Sequence, residues 1–180
     1  MSLSLAAASP SGPRPLRVVV MGVCGSGKST IGRLLADALK LRFVEGDDLH
    51  PPRNVALMAA GTPLTDEDRA EWLDALAEQL AAAHASGAVL ACSALRRRYR
   101  DRLRVAAPDL RLVHLHGDGA CLAERLRRRS GHYMPATLLP SQLAALELPA
   151  ADEHALVADI GRPPEQIVGE VHRRLTASPA

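Results

Sequence analysis

The sequence predicts an α/β protein: a five-stranded, mostly parallel sheet flanked by helices. Three observations carry this. Short β-branched or apolar runs alternate with stretches of helical spacing along most of the 180 residues. That alternation implies parallel strands joined by crossover helices. The loop from Gly22 to Ser29 reads G-x-x-x-x-G-K-S and lies between the first strand and the first helix. A 47% hydrophobic fraction in a chain of this length suits a single domain with a proper core.

Leu16 to Val20 reads as the first strand, and Thr30 to Lys40 as a helix with Ile31, Leu34, Leu35, Ala38 and Leu39 at helical spacing. Arg42 to Glu45 is a second short strand ending at Gly46-Asp47-Asp48. Pro51-Pro52 opens a helix where a missing N–H costs nothing, and Gly61 closes it. Thr65-Asp66-Glu67-Asp68 resembles a capping box with extra acid at a helix start. That helix runs to about His84, with Trp72, Leu73, Leu76 and Leu80 on one face. Ala88 to Cys92 is a buried strand, Leu95 to Ala106 a very basic helix, and Leu110 to Leu115 a fourth strand. Asp118 caps a helix through Arg129, and a loop follows over 130–135. Thr137 to Leu146 is helical, His154 to Ile160 is the fifth strand, and Pro163 to Leu175 is the closing helix.

Residues 1–15 are small, polar and proline-rich and read as a disordered tail, which leaves 16–180 as one domain. The tail lacks the basic start and long apolar stretch of a signal peptide, and no segment reaches the apolar length of a membrane span. Cys24, Cys92 and Cys121 form neither a metal pattern nor a disulfide framework, which points to a reducing cytoplasm. The net charge of +2 is too small to argue for nucleic acid. Arg96, Arg100 and Arg104 share a helix face at spacing four, but only Tyr99 offers a ring to stack a base.

The glycine loop fits a polyphosphate. Glycines let the backbone turn its N–H groups onto phosphate oxygens, and the following helix N-terminus favours anions. Gly22, Val23, Cys24, Gly25, Ser26, Gly27, Lys28, Ser29 and Thr30 form the nucleotide-binding set. Lys28 is one of only two lysines, against 20 arginines, and reaches the β- and γ-phosphates. The Ser29 hydroxyl ligates Mg²⁺. In a parallel sheet, ligands bind beyond the carboxyl ends of the strands. Gly22 to Ser29, Glu45 to His50, Ser93 to Arg96 and His116 to Asp118 therefore share one crevice.

Glu45 and Asp47 are two apart at a strand end, so both side chains leave on one face. Glu45 then serves the metal, directly or through water, and Asp47 accepts the proton of an acceptor hydroxyl. Gly46 between them lets the chain approach the γ-phosphate. His50, Arg53 and Asn54 offer hydrogen bonds to a polyhydroxy acceptor. Arg69 sits where the helix dipole disfavours a cation, which calls for an external anion or a neighbour such as Asp66. Ser93 and Arg100 complete the acceptor set. Arg125, Arg127, Arg128 and Arg129 end a helix before a glycine-bearing loop, an arrangement suited to a lid over about 127–136. His132 in that loop is a further acceptor or phosphate contact.

Taken together, the pieces MGVCGSGKST, EGDDLHPPRN, GTPLTDEDRAEWL, CSALRRRYRDRLR, RLRRRSGHYMP and LLPSQLAALELP resemble the bacterial-type gluconate kinases, a family of P-loop small-molecule kinases. They occur in the family's order and cover about 16–162. The resemblance implies ATP-dependent, Mg²⁺-assisted phosphorylation of D-gluconate to 6-phosphogluconate, an adenylate-kinase-like fold and a homodimer. It also implies Lys28 and Ser29 at the nucleotide, Asp47 near the acceptor hydroxyl, and Arg125 and Arg129 in the lid. Glu45 stands where the family often has Asp, which preserves a carboxylate, and Asp48 stands where an aromatic is common. Kinases of similar size acting on shikimate or adenylylsulfate are the nearest alternatives and share the predicted fold. A GTPase switch is a weaker reading, because the chain has no N-K-x-D guanine-reading motif.

Overall fold

The computed structural model describes residues 15–128 and 136–177. The expected tail up to residue 14, Arg129, His132 and most of the expected lid lie outside the described residues. Five strands form one sheet: β1 (Arg17–Met21), β2 (Arg42–Glu45), β3 (Ala88–Cys92), β4 (Arg111–His116) and β5 (Leu156–Asp159). They lie in the order β2-β3-β1-β4-β5, and every pairing is parallel. β2 and β3 fall on the boundaries the sequence predicts, and the others differ by a residue or two at their ends.

Among the described residues, seven α-helices connect and cover the strands: α1 (Lys28–Leu39), α2 (Pro52–Ala59), α3 (Asp66–Ala82), α4 (Arg97–Ala106), α5 (Gly119–Arg128), α6 (Leu139–Ala145) and α7 (Pro164–Thr176). Strand alternation divides the core between the two faces of the sheet. Val18, Val20, Val89, Val113 and Leu115 pack with Ile31 and Leu35 of α1 and Ile167, Val171 and Leu175 of α7. Val19, Met21, Leu90, Cys92 and Leu112 pack with Trp72, Leu73, Leu76 and Leu80 of α3 and Tyr99 and Leu103 of α4. Burial on both faces explains why the inner strands read as unbroken apolar runs rather than alternating ones. A third, small cluster of Met58, Leu64 and Leu138 joins α2 to the chain just before α6.

Local signals in the sequence are realised as expected. Thr65 Oγ1 accepts from Asp68 N at 3.2 Å, and Asp68 Oδ2 accepts from Thr65 N at 2.8 Å, which completes the capping box of α3. Asp118 Oδ1 accepts from Cys121 N at 2.7 Å in the first turn of α5. Pro52 occupies the first position of α2. The register pairs Met21 with Cys92 and His116 with Asp159, so the strand carboxyl ends open onto one side of the sheet.

Candidate active site

The phosphate loop runs from β1 into α1. Gly27, immediately before the helix, has φ 89°, and Gly22, at the end of β1, has φ 153°. A Cβ on Gly22 would lie 2.9 Å from the backbone oxygen of Leu115, so the tight return of the chain requires glycine at this point. A cavity of about 270 Å³ opens in front of the loop, lined by Gly25, Gly27, Lys28, Ser29, Thr30, Asp47 and Arg125 among others. A second space of about 290 Å³ continues from it between Arg125 and Arg162, floored by Ile31 and Ile167. Arg125 Nη2 donates to Ile160 O at 2.5 Å, which fixes the guanidinium at the junction of the two. Lys28 Nζ donates to Val23 O at 3.1 Å, folded back over its own loop.

Beyond Lys28 lies a narrower cleft. Lys28, Asp47, His50, Arg69, Ser93 and Gln142 line its inner end. Met58, Leu64, Arg69, Leu95, Arg96, Ser141 and Gln142 line its outer part, about 130 Å³. Lys28 and Asp47 face both the phosphate-loop cavity and this cleft, so a donor phosphate and an acceptor hydroxyl would meet between them.

Glu45 and Asp47 are near neighbours, though not by strand alternation. The strand ends at Glu45, and Gly46–Leu49 form a 3-10 turn that swings Asp47 into the cleft. Burial pushes the Glu45 carboxyl above its ordinary 4.5, and the charge of Asp47 adds to this, against lowering by the Ser29 hydroxyl, Lys28 and Arg33. Gly46 serves packing rather than access to a phosphate. A Cβ there would come within 2.4 Å of Ala91 O, and its own carbonyl accepts from Trp72 Nε1 at 2.7 Å. Asp48 is exposed, whereas Asp47 is half-buried.

The acceptor residues expected from sequence divide into two groups. His50, Arg69 and Ser93 reach the cleft. His50 stacks on Trp72 with ring centroids 4.4 Å apart, and burial lowers its pKa to about 4, so the ring is neutral near pH 7. Arg69 is anchored by the carbonyls of Leu64 and Thr65, while Asp66 is taken by Arg96, Arg98 and Tyr99. Three expectations do not hold in this geometry. Arg53 points away and pairs with Glu71 at 3.8 Å on the surface. Asn54 is fully buried, donates to Asp68 O at 2.7 Å and lies 3.4 Å from His50 Nδ1, so it supports His50 from behind. Arg100 is 1% exposed, bonded to both Glu153 oxygens at 2.6 and 2.8 Å and to the carbonyls of Ala94 and Leu95 at 3.1 Å. With those donors committed it cannot read an acceptor. It secures the turn after β3 that carries Ser93, where Ala94 holds φ 40°.

Sequence reasoning placed Arg96 in the crevice, as the outer cleft confirms, but missed Gln142 altogether and Arg162 beside the phosphate loop. Gln142 and Arg162 lie far along the chain from the loop they approach, and nothing in their local spacing distinguishes them. Among the described residues, no cluster of three or more His, Cys, Asp or Glu could hold a metal unaided. The pair Ser29 and Glu45 still fits Mg²⁺, which is usually held by one or two protein oxygens plus substrate phosphates. A dication there would favour the Glu45 carboxylate against the burial, and the lesser effect of the Asp47 charge, that raise its pKa.

A phosphate loop that shares Lys28 and an acid with a cleft for a small polar acceptor defines a P-loop kinase of small molecules. The family model described as shikimate kinase matches residues 24–175. A gluconokinase of Gluconobacter oxydans is 49% identical over 170 residues, covering 92% of this chain and 94% of that protein. Among solved structures, a gluconokinase from Sinorhizobium meliloti superposes with a TM-score of 0.82 at 47% identity, over 89% of this chain and 93% of the other. A sugar kinase from Janibacter gives a TM-score of 0.86 at 46% identity, over 89% and 94%. The chain belongs to the gluconokinase family, within the broader shikimate-kinase type.

Proposed function

We propose that this protein transfers the γ-phosphoryl group of ATP to the primary hydroxyl of D-gluconate, giving 6-phospho-D-gluconate and ADP. The observation that carries the proposal is the cleft in which Asp47 and Lys28 at the inner end are joined to guanidinium groups farther out. The phosphate loop and Lys28 hold the β- and γ-phosphates. The base lies between Arg125 and Arg162, over Ile31 and Ile167. Ser29 and Glu45 would hold Mg²⁺, which when bound would supply charge neutralisation to the phosphates. The acceptor oxygen forms its bond to the γ-phosphorus as the bond to the bridging β–γ oxygen breaks, and the hydroxyl proton passes to Asp47. His50 and Ser93 hydrogen-bond acceptor hydroxyls. Arg69 and Arg96 read the carboxylate, since a planar guanidinium suits a carboxylate better than an ammonium does.

A second reading, a kinase of another hydroxylated acid such as shikimate, is favoured by the description of the matching family model. ADP release measured across gluconate, glucose and shikimate separates the readings. The proposal expects kcat/KM for gluconate to exceed that for glucose, which has no carboxylate, by about a hundredfold or more, as for a lost charge-assisted pair. Equal values for gluconate and glucose, or a preference for shikimate, would contradict it. We also take the enzyme to work in the cytoplasm, as its three unpatterned cysteines suggest, and as a homodimer, as its resemblance to the family implies. Sedimentation at micromolar concentration checks the assembly.

A further inference from the structure

The Val23–Cys24 peptide is held from both ends. Its carbonyl accepts from Lys28 Nζ at 3.1 Å, and its N–H donates to Gln142 Oε1 at 2.7 Å. Gln142 belongs to α6, on the acceptor side, and lines both parts of the acceptor cleft. One side chain therefore touches the acceptor space and the peptide that sets the resting place of Lys28.

We propose that Gln142 is a positioning residue: it fixes the plane of the Val23–Cys24 peptide and so aims Lys28, which couples seating of the acceptor to placement of the lysine. The Val23 carbonyl also accepts from Ser26 N at 3.3 Å, and the bond from Gln142 holds the opposite side of the plane. Rotation of the peptide would carry its carbonyl away from the ammonium, because the N–H and C=O of a peptide lie in one plane and point in opposite directions. A carboxamide suits this task. Its oxygen accepts from the loop, while the side chain lines the cleft. Met58, Leu64 and Leu138, the cluster at the entry to α6, line the outer cleft together with Gln142, so an acceptor seated there lies against Gln142 as well. The inference rests on the acceptor reading given above.

Two variants test it. Gln142→Met keeps the volume and removes the acceptor atom. Gln142→Glu keeps an acceptor for the Cys24 N–H and adds a negative charge facing an anionic substrate. Gln142→Met is expected to lower kcat with gluconate about tenfold, the effect of one ordinary hydrogen bond, with KM for ATP moved less than about threefold. Gln142→Glu is expected to recover most of that turnover while raising KM for gluconate about fivefold or more. Hydrogen exchange at the Cys24 amide, measured without substrate, should be faster in Gln142→Met than in wild type and slow in Gln142→Glu. Wild-type kcat in Gln142→Met, or equal loss in both variants, would overturn the role. So would unchanged protection of the Cys24 amide. A wild-type enzyme inactive on gluconate would instead sink the acceptor reading, while the amide measurement still decides whether Gln142 holds the loop.

Discussion

Asp47 and Asp48 are adjacent, chemically identical, and differently placed. Asp47 faces the space between the phosphate loop and the acceptor cleft, while Asp48 lies in solvent. Asp47→Asn keeps the shape and removes the proton acceptor. It should lower kcat by roughly 10²–10⁴-fold, the usual range for loss of a general base, with KM for ATP little changed. Asp48→Asn should stay close to wild type. Steady-state kinetics of the two variants checks this, and the reverse ranking would place the wrong aspartate in the cleft. At this scale the sequence was legible wherever chemistry is local. Lys28, Ser29 and Glu45 lie within or next to motifs whose spacing determines their place, whereas Asp47 owes its place to the 3-10 turn after β2. Arg100 was not legible: its fate depends on Glu153, 53 positions along the chain, and no local pattern announces a buried ion pair.

At the scale of elements, α4 shows how charge can mislead. Its arginines are tied to acids from other elements or from its own turn: Arg97 to Asp101 and Asp152, Arg98 to Asp66, Arg102 to Asp74, and Arg100 and Arg104 to Glu153. The basic face is a clasp joining α4 to α3 and to the turn before β5, and not a stripe open to a polyanion. The buried member is Glu153. Burial alone would raise its pKa, but hydrogen bonds from Arg100, Arg104 and the Ala150 N–H outweigh this and hold it at about 2, against an ordinary 4.5. The folded chain thus prefers the carboxylate more than the unfolded chain does. The stability this gives is complete above about pH 4.5 and is lost as the pH falls towards 2. A shift of that size corresponds to something on the order of 3 kcal/mol. Glu153→Gln leaves Arg100 buried without its counter-charge and should cost about 3–5 kcal/mol in denaturant unfolding at pH 7. Its stability should also vary less between pH 5 and 3 than that of wild type. A variant as stable as wild type would show that the clasp contributes nothing. Helix starts at this scale were readable from Pro52, Thr65 and Asp118, because caps are local. The 3-10 turn over Gly46–Leu49 was not, because packing of Gly46 on β3 and Trp72 imposes it.

For the whole molecule, five parallel strands in the order β2-β3-β1-β4-β5 bring the loops after β1, β2 and β3 to one side. A polyphosphate loop, an acid and a guanidinium-lined cleft thereby meet, although they come from separate parts of the chain. The alternation of strands and helices was enough to predict this gathering, since a parallel sheet leaves its ligand sites at the strand carboxyl ends. The walls contributed by α6 and by the turn before α7 depend on tertiary packing and could be seen only in the folded chain. Phosphorus-31 NMR of the reaction of ATP, Mg²⁺ and gluconate decides whether the phosphoryl group moves to the primary hydroxyl of gluconate. Transfer to that hydroxyl gives a new phosphomonoester signal split into a triplet by two equivalent or near-equivalent CH₂ protons, growing in step with ADP. A doublet from a single CH proton, or ADP and free phosphate without any phosphomonoester, would contradict it.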